Sequence, residues 1–221
     1  LSIRRQRQMC IRDSNGILLA TSLPTASLYA NPRQILDPKE ATKKLLSVIP
    51  DLNSEKVIKK LSSNKSFVWL RRNLTPKTQF LVNTLGIPGL EFQRTERRVY
   101  PHGRLVSHTL GLTNIDGRGL SGIEGYFDRS LRRNDKPIEL TIDIRLQSVL
   151  REELSRAAQE FKAIGAAGLI LDPTNGEVRA MVSLPDFDPN KPVTASGKAG
   201  FNRATKGVDE MGSTFKLFTV A

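Results

Sequence analysis

The chain has 221 residues, 25% of them charged and 38% hydrophobic, a composition that suits one large or two modest globular domains with true cores. Its formal charge of +12 ordinarily raises nucleic acid or an anionic membrane surface as partners. No run of about eighteen apolar residues offers a membrane span, and a single cysteine, Cys10, leaves no disulfide framework to consider.

The first fourteen residues stand apart. Arg4-Arg5-Gln6-Arg7-Gln8-Met9-Cys10-Ile11-Arg12-Asp13-Ser14 reads, codon by codon, as the translation of a transposase-type sequencing adapter, so residues 1–14 are expected to be an artefact outside the domain. Setting aside Arg4, Arg5, Arg7 and Arg12 with Asp13 removes three net positive charges and leaves +9, still basic. Cys10 goes with them. Leu217 to Ala221 is apolar and carries no helix stop signal, so the chain is expected to be cut short at both ends.

Asn15-Gly16 marks a turn, and Ile17 to Ala20 reads as a strand. Asp37-Pro38-Lys39-Glu40 starts a helix with an acidic cap, a proline at the first position and a glutamate to answer the cap. Its apolar residues Ala41, Leu45, Val48 and Ile49 recur at helical spacing up to Pro50. A second helix is expected over Ser54 to Leu61, a strand over Phe67 to Leu70, and a third helix from Thr75-Pro76 to Gly86. Residues 89 to 135, rich in glycine and arginine and weakly periodic, read as extended structure and loops, and the domain boundary is placed at Asn134-Asp135-Lys136-Pro137. Beyond it come a strand over Ile138 to Ile142 and a helix from Ile144 to Phe161 with Leu146, Val149, Leu150, Leu154 and Ala157 on its buried stripe. Ala167 to Leu171 and Val178 to Val182, joined by Asp172-Pro173-Thr174-Asn175-Gly176, form an antiparallel hairpin. Residues 185 to 208 read as loop, and a helix begins near Ser213. Helices, a hairpin and another helix without βαβ alternation argue for an α+β fold.

Gly212-Ser213-Thr214-Phe215-Lys216 carries the sharpest chemistry. A serine hydroxyl is a weak nucleophile until a neighbour takes its proton. A lysine three residues on along a helix shares its face, and desolvation lowers an ammonium's pKa until the amine can act as base. A helix start also favours a developing oxyanion. Phe215, Leu217 and Phe218 point to a buried helix; the bland alternative is a capped surface helix that happens to carry serine and lysine.

The surroundings of these residues resemble the class B penicillin-binding proteins, for which Ser-x-x-Lys is the nucleophile motif. The matching pieces, in the family's order, are Asn15-Gly16 with Leu19-Ala20, Ser27-Leu28-Tyr29-Ala30-Asn31-Pro32, and Arg97-Arg98-Val99-Tyr100-Pro101 with Gly103. Then come Gly119-Leu120-Ser121-Gly122-Ile123-Glu124, Leu140-Thr141-Ile142-Asp143 with Gln147, Asp172-Pro173 with Gly176-Glu177, Leu184-Pro185-Asp186-Phe187-Asp188-Pro189-Asn190 and Asn202-Arg203-Ala204. The resemblance implies a pedestal, or dimerisation, domain over 15–135 followed over 136–221 by the truncated start of a serine transpeptidase domain of β-lactamase-like fold. It implies a peptidoglycan D,D-transpeptidase with Ser213 as nucleophile and Lys216 as its base, acting on stem peptides and acylated by β-lactams. Tyr29-Ala30-Asn31-Pro32 leans toward division-type enzymes, hence toward other division proteins as partners, an anchor upstream in the bacterial inner membrane and a periplasmic globular part. Ser-x-N and Lys-Thr-Gly motifs are expected downstream, so these residues alone are expected to be inactive. One departure is Asp209, before Glu210-Met211-Gly212, where the family pattern has an aromatic.

No cofactor, metal or nucleic acid is called for. Asp186-Phe187-Asp188-Pro189-Asn190 mimics the start of a calcium loop, but Pro189 and Lys191 break the pattern. Gly117, Gly119 and Gly122 lack the strand-to-helix setting of a phosphate loop, and His102 and His108 have no partner cluster. Lys43, Lys44, Lys56, Lys59 and Lys60 read as solvated helix faces, with anionic lipid or cell wall as the alternative. Arg97 and Glu124 are expected to pair. Competing readings are a serine β-lactamase or β-lactam sensor, which share Ser-Thr-Phe-Lys but lack the pedestal motifs, and a non-catalytic division scaffold.

Overall fold

The computed structural model of the chain describes residues 9–133, 136–208, 210 and 212–220. Its elements follow in the order β1 (Ile11–Arg12), β2 (Leu18–Ala30), α1 (Pro38–Val48), α2 (Ser54–Leu61), β3 (Val68–Leu74), α3 (Pro76–Thr84) and β4 (Leu90–Val99). After these come α4 (Ser107–Leu110), α5 (Gly122–Tyr126), α6 (Asp128–Arg133), β5 (Ile138–Glu139), α7 (Ile144–Glu160), β6 (Ala166–Leu171), β7 (Val178–Leu184), α8 (Arg203–Lys206) and α9 (Leu217–Val220). Two compact units result, one of Ser22–Arg97 and the other of residues through Thr21 with Arg98 onward. Asn134 and Asp135, where the sequence places a boundary, lie outside the described residues.

In Ser22–Arg97 the helices start where the sequence offers caps. The Asp37 carboxylate accepts from the N–H groups of Lys39 and Glu40, Asn53 from that of Lys56, and Thr75 from that of Thr78. Glu40 does not reach back to the cap; it pairs with Lys44, one turn on, at 2.7 Å. The buried faces of α1, α2 and α3 bring Ala41, Leu45, Val57, Leu61 and Val82 against Leu28, Ala30, Val68, Leu70 and Leu74 of the strands. β2 pairs antiparallel with β3, Tyr29 opposite Trp69 and Ala30 opposite Val68, and it also pairs with β4. On the opposite sheet face Tyr29, Phe67 and Trp69 pack ring on ring, with the Arg72 guanidinium 4.2 Å above the Trp69 ring.

In the other unit β1 pairs antiparallel with the start of β2 and parallel with β5, Ile11 lying opposite both Ala20 and Ile138. Ile11, Leu19, Ala20, Tyr100, Val106, Leu110 and Leu131 close its core. Met9 to Ser14, set apart in the sequence, thus take up places in this unit. Asp13, 1% exposed, accepts hydrogen bonds from the N–H groups of Asn15, Ile17 and Ile144. The segment expected to be extended and looped contains β4 but also α4, α5 and α6, each too short to show a helical period in sequence. Glycines there serve close backbone approach: a Cβ on Gly119 would lie 1.9 Å from the Glu124 carbonyl oxygen.

The expected helix after Asp143 is α7, but its buried face differs from the expected stripe over the first turns. Ile144 and Gln147 are buried, whereas Leu146 and Val149 are 37% and 58% exposed. The hairpin forms as expected from β6 and β7, with Leu169 opposite Met181 and the Asp172 carbonyl accepting from the Gly176 N–H at 2.8 Å. Leu150 and Leu154 pack on Gly168, where no side chain intervenes. The fold is mixed α+β, and among the described residues no helix is long and apolar enough to cross a membrane.

Candidate active site

Ser213 and Lys216 lie on a 3-10 turn spanning Gly212–Lys216, with α9 following directly. Residues three apart are eclipsed on such a turn, so the two side chains leave the same face. Gly212 takes φ +52°, which a glycine adopts without strain. The sequence pointed to a buried α-helix here. The structure differs: Phe215 and Phe218 contact each other, centroids 5.5 Å apart, yet are 62% and 79% exposed. Helical propagation draws on a packed face, and these aromatics find none among the described residues. Neither the Ser213 nor the Lys216 side chain has a hydrogen-bond partner among the described residues, and Asp209 and Met211 lie outside them.

The approach to Ser213 is better anchored than its loop-like sequence suggests. After β7 the chain passes through Pro185 to Asn190 and returns to the hairpin at α8. There the Arg203 N–H donates to Ser183 Oγ at 2.8 Å and Asn202 caps α8 through the Ala204 N–H. The Arg203 guanidinium lies against Gly165, whose added Cβ would come within 2.2 Å of it. Asp186 and Asn190, read in sequence as a broken calcium loop, are both engaged with protein groups. Asp186 pairs with Arg151 at 2.6 Å and Arg104 at 3.2 Å, and Asn190 holds the backbone of Tyr100. Among the described residues no three His, Cys, Asp or Glu side chains converge as metal ligands.

The same unit holds a buried polar centre. Glu124, fully buried, accepts from Arg98 Nε at 2.7 Å, and the partner expected from sequence, Arg97, is exposed instead. The reason is strand alternation: Arg98 shares the inward phase of Tyr100, and Arg97 takes the outward one. Arg98 Nη1 also donates to the Met9 carbonyl. Burial pushes the Glu124 carboxyl up while Arg98 pulls it back, and burial together with Glu124 pushes the Tyr100 phenol up, keeping it protonated. Gln147, 1% exposed, donates to the carbonyls of Leu105 and Met181 and accepts from the Met181 N–H, at 2.9, 2.7 and 2.9 Å. Asp143 caps α7, and Arg145 with other donors holds its carboxyl well below the usual carboxylate range. Sequence reasoning missed the roles of Arg98, Gln147 and Asn190. Only Gln147 left a signal, as a polar residue three positions after Ile144 on the helix face that proves buried.

Two sequence families match this arrangement. The penicillin-binding protein dimerisation domain matches residues 10–159, and the penicillin-binding protein transpeptidase domain matches residues 166–221. The chain belongs to the penicillin-binding proteins. Its relatives include the probable peptidoglycan D,D-transpeptidase FtsI of Caulobacter vibrioides, 39% identical over 95% of this chain and 36% of that protein. The probable peptidoglycan D,D-transpeptidase PenA of Neisseria meningitidis is 33% identical over 96% of this chain and 42% of its own length. Peptidoglycan D,D-transpeptidase FtsI of Escherichia coli is 28% identical over 95% and 41%. The chain therefore spans less than half the length of these relatives. A crystal structure of a peptidoglycan synthetase from Bifidobacterium adolescentis shares its fold, with a TM-score of 0.55 at 18% identity over 87% of this chain and 45% of that one. A dimerisation domain followed by the start of a transpeptidase domain, together with FtsI- and PenA-type relatives, makes this a class B penicillin-binding protein.

Proposed function

We propose that this penicillin-binding protein chain is the pedestal (15–135) and transpeptidase start (136–221) of a division-type peptidoglycan D,D-transpeptidase. Ser213 Oγ attacks the penultimate D-alanine carbonyl of a stem peptide while Lys216 Nζ takes the hydroxyl proton. The tetrahedral adduct collapses as that proton passes to the departing nitrogen, so terminal D-alanine leaves and a serine ester remains. An amine from a neighbouring stem then attacks the ester, its proton returns through Lys216 to Ser213, and the new amide is the cross-link. A β-lactam carbonyl takes the same attack, and ring opening replaces departure of D-alanine. The observation that carries this reading is the eclipsed Ser213–Lys216 turn within the transpeptidase-matched segment.

In this reading the enzyme works from the bacterial inner membrane, anchored upstream, with its globular part in the periplasm beside other division proteins. Ser-x-N and Lys-Thr-Gly motifs downstream of Ala221 complete the site, and the 221 residues alone do not turn over substrate. The test is labelling of the full-length protein with a fluorescent penicillin. The wild type is expected to retain one label per chain, Ser213→Ala none, and Lys216→Ala to react about 100-fold or more slowly. Labelling that persists in Ser213→Ala refutes the assignment, and rapid release of the label from the wild type makes the protein a β-lactamase instead.

A further inference from the structure

The segment from Tyr100 to Leu110 lies in the part of the chain matched by the dimerisation family, yet it holds the segment from Pro185 to Asn190, matched by the transpeptidase family. The holding points recur every fourth residue. At Tyr100 the carboxamide of Asn190 makes two backbone hydrogen bonds, its Oδ1 accepting from the Tyr100 N–H at 3.0 Å and its Nδ2 donating to the Tyr100 carbonyl at 2.9 Å. At Arg104 the guanidinium donates to both the carboxylate and the carbonyl of Asp186, at 3.2 and 3.1 Å. At His108 the ring stands edge-on to Phe187, 5.1 Å between centroids, with Nε2 3.3 Å from the Pro185 carbonyl oxygen. Arg151 of α7 binds the second Asp186 oxygen at 2.6 Å, and Gln147 ties α7 to Leu105 and Met181 on the same side.

Phe187, 3% exposed, and the Asp186 side chain, 8% exposed, are therefore pinned parts of the unit's interior, not a mobile connection. Within the pinned stretch Asp188 accepts from the Asn190 N–H, and the Asp188 N–H donates to Thr194 Oγ1, both at 2.9 Å. Past it the chain returns to β7 through Ser183 and Arg203 before reaching Ser213. The connection into the nucleophile is thus tied at two places, at Pro185–Asn190 and at Arg203.

We propose that Asn190 and Asp186 are positioning residues: by fixing the chain between β7 and Ser213 to the Tyr100–Leu110 segment, they set where the nucleophile turn stands. This rests on Ser213 being the acylated serine. A small misplacement of a reacting group costs up to about 100-fold in rate, so loosening one of several ties is expected to cost less than that, about tenfold.

The experiment is saturation kinetics of penicillin acylation in the full-length protein, separating the affinity of the first complex from the acylation rate constant. Asn190→Ala is expected to lower the rate constant about tenfold and to leave affinity within about twofold. Asp186→Asn, which keeps the shape and removes the charge held by Arg104 and Arg151, is expected to act in the same sense. If Asn190→Ala fails to fold, Asn190→Asp carries the test, since it keeps the acceptor for the Tyr100 N–H and replaces the donor with a carboxylate oxygen that the Tyr100 carbonyl repels. A wild-type rate constant in the folded variants overturns the proposal. So does a loss seen only as fewer active molecules with an unchanged rate constant, which marks a stability role. Amide hydrogen exchange over residues 191–208 reads the tie without the chemistry. Faster exchange there in Asn190→Ala is expected, and unchanged exchange overturns the proposal. Failure of wild-type Ser213 to acylate defeats the functional reading instead, while the exchange measurement still decides the tie.

Discussion

Between Ser22 and Arg97 the core is aliphatic; the helix caps Asp37, Asn53 and Thr75 bond within their own helices, and the buried polar contact across the sheet, Ser27 with Thr95, joins two neutral hydroxyls. In the unit that carries Ser213, charged and amide side chains, buried or half-buried, bridge segments distant in sequence. Glu124 meets Arg98, Asp13 meets Ile144, Gln147 meets Leu105 and Met181, and Asn190 meets Tyr100. The contrast teaches where cooperativity resides. A cap lost from α1 removes two local bonds, and the apolar face of the helix remains. A bridge lost from the other unit strands its partner in the interior, and an uncompensated buried charge costs far more than the pair contributes.

The largest expected effect follows from that asymmetry. Glu124→Ala leaves the Arg98 guanidinium, 2% exposed in its side chain, without its carboxylate, at a cost of about 3–5 kcal/mol. Native-state hydrogen exchange over residues 98–131 of the full-length protein measures it. Arg97→Ala, one residue along β4 on the exposed phase, is expected to change protection by less than about 0.5 kcal/mol. Equal effects from the two would refute both the alternation and the buried-centre account.

The same contrast decides what could be read from the sequence. The caps at Asp37 and Thr75, the hairpin, α2 to the residue and α7 nearly so were legible, because each signal lies within one element: an oxygen before a first turn, a period of 3.6, Asn-Gly between strands. The α5–α6 stretch was not, because helices of five and six residues show no period. The stripe of α7 was misplaced at Leu146 and Val149, though not at Leu150 and Leu154, because the rule assigns burial to leucine and valine, while here a glutamine with three hydrogen bonds holds the interior of the first turns. The pairing of Glu124 was assigned to the wrong arginine because sequence shows that two are adjacent, and only the strand's phase separates them. Ser213 and Lys216 could be read as a spacing, but the burial expected for them is not found, since among the described residues nothing packs over Phe215 and Phe218.

A smaller effect sharpens the other side of the comparison. Asp37→Ala removes the acceptor for two N–H groups at the start of α1 and is expected to cost about 1 kcal/mol. Exchange should quicken in the first turn of α1 and little elsewhere, with Asp37→Asn restoring most of the loss. A drop spread over the whole Ser22–Arg97 unit would mean that its caps, too, act cooperatively.

The smallest expected effect concerns acidity at His108. Burial lowers its pKa, outweighing the Pro185 carbonyl and the Asp186 carboxylate, which favour the charged ring, while Arg203 opposes it. With a depressed folded-state value, the folded protein binds fewer protons than the unfolded chain once the pH nears the ordinary histidine value of about 6.5. The stability contributed by the neutral ring is therefore present above that pH and is lost as the pH falls through it. Exchange protection of residues 103–110 and 185–190 should decline between about pH 7 and pH 5, and His108→Gln should flatten that slope. In Ser22–Arg97, which contains no histidine, protection should stay level over the same range. A matching decline there would place the acid-sensitive group outside the Tyr100–Asn190 tie and would remove His108 from its account.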